Sequence, residues 1–152
     1  DFKPHKIYYA TVIEEADKGN DAILPLLAQY KNPNDRQRIN KLLKANLKKA
    51  GICSYEACEA ISNWNDPAFE WYAKAACQAT IKQEDYDAGD ILQLLCAYPA
   101  PWSYQILKKL LTQKGDYSNS DIAKDYLTEL YKTRPVPPIF KPLYDRYVVR
   151  KR

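Results

Sequence analysis

Apolar residues recur along this chain at intervals of three and four, in runs cut by short polar, proline or glycine punctuation. In "NPNDRQRINKLLKANLKKAG", Ile39, Leu42, Leu43, Leu47 and Ala50 fall on one helical face, and Lys41, Lys44 and Lys48 on the opposite one. Asn32 before Pro33 opens that segment and Gly51 closes it, the usual asymmetry between a helix start and a helix stop. The stretch "NDPAFEWYAKAACQATIKQ" predicts a second long helix. Asp66 serves as its N-cap, Pro67 suits its first turn, and Glu70 with Lys74 forms an i,i+4 pair. Its projected apolar face holds Phe69, Tyr72, Ala73, Ala76 and Thr80, with Ala75 and Ala79 on the flank and Cys77 at the edge. Trp71 falls on the wet side with Glu70, Lys74, Gln78 and Lys82. A tryptophan out of phase with its core is either covered by the following segment, the favoured expectation, or held out for a partner.

The same periodicity predicts helices over 20–30, 54–63, 87–98, 102–114 and 120–133. "HKIYYATVI" is ambiguous because its β-branched and aromatic residues also suit a strand. A short helix is expected there, since "EEADKG" continues helically and no second strand-like run offers a pairing partner. Short connections imply antiparallel neighbours. The expected fold class is therefore all-α, a single compact domain over 1–134 of about seven to eight short antiparallel helices. The arrangement is an irregular bundle or a helical-hairpin stack; an α-solenoid fragment ranks second, because no repeat register emerges. Residues 135–152 begin with four prolines in eight positions and are expected to form a basic C-terminal arm, packed on the domain or on a neighbouring chain.

Composition narrows the picture only slightly. The 152 residues are 46% hydrophobic and 28% charged, which suits a soluble globular chain rather than a disordered one. No apolar run reaches the roughly 18 to 20 residues of a membrane-spanning helix. The chain starts at Asp1 and holds no methionine, for which a removed signal peptide is the simplest account and excision from a longer precursor the rival. An extracellular or periplasmic location follows as an expectation.

Charge is mild in sum, +4, but unevenly spread. Residues 31–50 carry seven Lys/Arg against one Asp, and the last twenty carry six against Asp145. Between them, Glu56, Glu59, Asp66, Glu70, Glu84, Asp85, Asp87 and Asp90 face only Lys74 and Lys82 over 54–90. Such alternation suits head-to-tail self-association or oppositely charged partners, beside the plainer reading of solvated helix faces.

The four cysteines, Cys53, Cys58, Cys77 and Cys96, lack the paired knuckles of a zinc site and the C-x-x-C of a redox motif. Two disulfides are expected, with Cys58–Cys77 and Cys53–Cys96 favoured; free buried thiols are the remaining reading. Nucleophilic catalysis needs a base, and His5 is the lone histidine, at a terminus. "QEDYDAGD" does not follow the calcium-loop order, and its Asp85 or Asp87 has a simpler role as a helix cap. No catalytic residue, metal ligand or cofactor is assigned.

The resulting expectation is a non-enzymatic, exported, disulfide-stapled subunit working by protein–protein contact, through self-association or with a heterologous partner. A secreted inhibitor or immunity-type binder is the alternative, and a nucleic-acid-associated structural protein the second alternative. Trp71, Lys41, Lys44, Lys48, Arg146, Arg150, Lys151 and Arg152 are the candidate contact residues.

Overall fold

Each run of apolar positions folds as a helix, and among the described residues no strand forms. The computed structural model describes residues 5–51, 54–114 and 118–149, and it divides into two compact units, Asp1–Gln83 and Glu84–Arg152. The first unit contains α1 (Tyr9–Asp17), α2 (Leu24–Gln29), α3 (Arg36–Ala50), α4 (Tyr55–Trp64) and α5 (Glu70–Ile81). The second contains α6 (Gly89–Ala97), α7 (Pro101–Leu111) and α8 (Asn119–Leu130), followed by a helical turn at Lys141–Leu143 and a π-helix at Tyr144–Val148. "HKIYYATVI" is helical, as its continuation into "EEADKG" requires: the 3₁₀ turn Lys6–Tyr8 leads directly into α1.

Four helices of the first unit begin with the same local device. A 3₁₀ turn precedes each of α1, α2, α3 and α5, and a side chain just before the turn accepts the backbone N–H two residues on. His5, Asn20, Asn32 and Asp66 fill that role. Each is a local side-chain bond that satisfies a donor the helix leaves orphaned. At the far end of α3, Gly51 takes φ 70° and returns its N–H to Leu47 O, a left-handed cap that costs glycine no Cβ clash.

Packing in the first unit centres on α2 and α4. Leu24, Leu27 and Ala28 of α2 are buried, and so are Ala57, Ala60 and Ile61 of α4. The small side chains on α4 let the two helices approach closely, so the short α2 gains from tertiary contact the stability that six residues alone do not provide. Both α1 and α5 pack on α3, whose buried face is Ile39, Leu42, Leu43 and Asn46. Leu47 is half-buried and Ala50 exposed, so the α3 face narrows toward its C-terminal end.

In the second unit α6 is buried on more than one side: Ile91, Leu92, Leu94 and Leu95 all lie in the core, and both α7 and α8 pack against it. A helix apolar around most of its circumference belongs at the centre of its unit. Asn119 latches the entry to α6, accepting from the Ala88 N–H and donating to Tyr86 O, while Ser120 donates to Leu111 O. After the prolines, Phe140, Leu143 and Val148 are buried, the π-helix packs on α8, and the Tyr144 ring meets Tyr131 edge-on. The chain through Val148 therefore rests on its own unit.

Candidate functional site

The most built surface of the first unit lies at its N-terminal turn. Lys6, Tyr9, Tyr30, Asn32 and Pro33 line an open groove of about 400 Å³. The rings of Tyr9 and Tyr30 meet edge to face at 4.9 Å, and the Tyr30 hydroxyl donates to His5 O, which ties the turn to the end of α2. Behind the groove stands a polar chain. The Tyr9 hydroxyl donates to Asp35 and accepts from Asn32 Nδ2 at 2.9 Å. Arg38 donates to Asp35 at 2.6 Å and to Asp17 at 2.6 Å. Asp35 is only 1% exposed, so its charge is tolerated because a guanidinium and a phenol both satisfy it. Desolvation first, and then the bond to Asp35, hold the Tyr9 hydroxyl above its ordinary pKa. These groups position the groove; each is already engaged within the chain.

On the same turn, Ile7 and Tyr8 project outward at 69% and 58% exposure. The groove and these two side chains therefore lie on the same turn of the first unit. The chain's pattern gave no signal of this, because Ile7 and Tyr8 look like interior residues of an amphipathic helix.

Lys41, Lys44 and Lys48 are exposed on α3 and form no ion pair among the described residues. Arg146 is exposed too, with its guanidinium over the ring of Tyr147. Arg150, Lys151 and Arg152 lie outside the described residues. The lysines of α3 and the arginine of the tail belong to different units.

Trp71 lies on the exposed side of α5. Its Nε1–H donates to Asn40 of α3 at 2.7 Å and its ring meets Tyr72 edge-on, leaving it 37% exposed. Helix α3, on which α5 packs, supplies the indole's hydrogen-bond partner through Asn40.

The cysteines correct the expectation of two bridges. Cys77 and Cys96 are not disulfide-bonded, so neither Cys58–Cys77 nor Cys53–Cys96 forms. Cys77 is fully buried on the core face of α5, and Cys96 lies on α6 beside Tyr131, each serving as a small apolar filler in its own unit. Burial pushes the Cys96 thiol up to about 12 and raises Cys77 further still. Cys58 is disulfide-bonded; Cys53 lies outside the described residues.

In the first unit two buried polar residues were hidden from the sequence pattern. Asn46 donates to Asp21 at 2.8 Å and accepts from the Tyr72 hydroxyl at 3.2 Å, joining the turn before α2 to α3 and α5. Asp35 is the other. Both sit in windows dominated by lysine and asparagine, where an inward-facing polar residue looks like any solvated one. Among the described residues no cluster of three metal-ligating side chains occurs, and no helix is long and apolar enough to cross a membrane.

No family model matches the chain, and neither the comparison with curated proteins nor that with solved structures finds a match.

Proposed function

We propose that this chain is a non-enzymatic helical subunit that works by protein–protein contact, assembling with further copies of itself. The observation that carries the reading is the pair Ile7 and Tyr8, exposed at the edge of a groove whose shape is fixed by the Tyr9–Asp35–Arg38 chain of bonds. Exposing two large apolar side chains costs solubility with no return in folding, and a contact surface is the use that offsets it. The rigid polar support behind the groove is what a preorganised interface needs. Neither Cys77 nor Cys96 is disulfide-bonded, so of the expected bridges only the one at Cys58 is left to favour export, and the proposal stands on the surface alone.

Replacing Ile7→Ser and Tyr8→Ser together tests it. Both side chains are exposed, so the fold is expected to survive with less than about 0.5 kcal/mol of change. The wild-type chain is expected to show a mass by light scattering that rises with concentration, and the double variant to lose that rise. A wild-type chain that associates as strongly with both serines in place contradicts the role of this turn.

A further inference from the structure

The lysine face of α3 and the acidic turn that opens the second unit carry opposite charges and are both exposed. Lys41, Lys44 and Lys48 stand at i, i+3 and i+7, exposed, over about 10 Å of helix at 1.5 Å per residue. Glu84 and Asp85 are exposed on the turn residues between α5 and α6, and Asp87 follows two residues later. Glu84 and Asp85 form no ion pair among the described residues, and neither do the three lysines. Asp87 has a second task, accepting the Gly89 N–H at 2.8 Å at the start of α6.

We infer that the lysine face of α3 docks the Glu84–Asp87 turn of a second copy, so that copies join head to tail. The inference rests on the self-assembly reading above and names the contact that gives it direction. Each chain carries both halves of the contact. Used once per neighbour, the contact is heterologous and leaves a lysine face on one copy and an acidic turn on the other to take up further copies, the condition for an open or ring-closing series. Exposed charge pairs contribute modest affinity but fix register and exclude like-charged juxtapositions. The apolar turn at Ile7 and Tyr8 supplies contact area, and the charges set which faces meet.

The test is a charge swap. One variant carries Lys41→Glu, Lys44→Glu and Lys48→Glu; the other carries Glu84→Lys and Asp85→Lys and leaves the Asp87 cap intact. Circular dichroism confirms that each is folded, and light scattering then reads association at low salt. Each variant alone is expected to associate at least about tenfold more weakly than wild type, because both of its surfaces carry one sign. An equimolar mixture is expected to regain association, since each variant then presents the opposite charge to the other. Two folded variants that associate like wild type overturn the inference and leave self-assembly standing. A wild-type chain that stays monomeric at every concentration overturns both. If short duplex DNA binds the α3 face, with a steep salt dependence that the lysine variant loses while self-association is untouched, the face belongs to nucleic acid and the inference falls.

Discussion

Arg36 reaches across from the start of α3 to Asp66, the residue that opens the turn before α5, with donor–acceptor distances of 3.1 and 2.6 Å. Asp66 is buried and also accepts the Ala68 N–H, so one carboxylate caps a turn and pins two elements together. The Arg36 bond above all, with the Ala68 N–H adding to it, holds its carboxyl below the ordinary carboxylate value of about 3.9. A carboxyl depressed in the folded state stabilises fully above the unfolded value and loses that contribution as pH falls through the folded one. Wild-type stability is therefore expected to fall as pH drops below about 5 and on through the lowered folded value, and Asp66→Asn, which keeps an accepting cap, to flatten that fall. Denaturant midpoints taken at several pH values decide; parallel curves for the two chains would show that the pair carries no linkage. The thiols make a second prediction at this scale. Because burial raises both, iodoacetamide at about pH 8 is expected to leave Cys77 and Cys96 unmodified in the native chain and to alkylate both once it is unfolded without reductant. Labelling of Cys77 in the folded chain would contradict its burial, and labelling of the half-buried Cys96 would contradict its raised thiol.

Helix α2 has only six residues and α4 ten, and neither persists alone in water. Their mutual packing, leucines against alanines, is what keeps both in place. Ala60→Leu on the buried face of α4 is expected to overpack that contact and cost about 1–3 kcal/mol, read as a lowered denaturation midpoint with the slope unchanged. A variant as stable as wild type would mean the interface has room that the close approach denies. The positions of the helices were legible in the sequence because 3.6-residue periodicity and capping chemistry agree: Asn32, Ser54, Asp66 and Gly51 all act where their residue types suggest. What the pattern concealed were the polar residues that point inward. Asn46 lies on the same face as Leu42 and Leu43, and only the arrival of Tyr72 and Asp21 from other elements gives it a reason to be there. The cysteine pairing was illegible for the same reason, since spacing along the chain says nothing about which helix faces meet.

At the scale of the whole molecule, the chain is a pair of compact helical units whose described surfaces carry unmatched features of three kinds: an apolar turn beside a groove, a lysine face and an acidic turn. The alternation of charge along the sequence anticipated the last two, whereas the groove depended on α1 and the end of α2 coming together and had no linear signature. Head-to-tail association accounts for all three at once, and its charge component is expected to weaken as salt screens it. Sedimentation equilibrium of the unmodified chain at low salt, over a wide range of concentration, tests this account most directly. The account predicts an apparent mass that climbs well past the 17.6 kDa of one chain as concentration rises and falls back when salt is added. A mass fixed at 17.6 kDa across the whole range would contradict it.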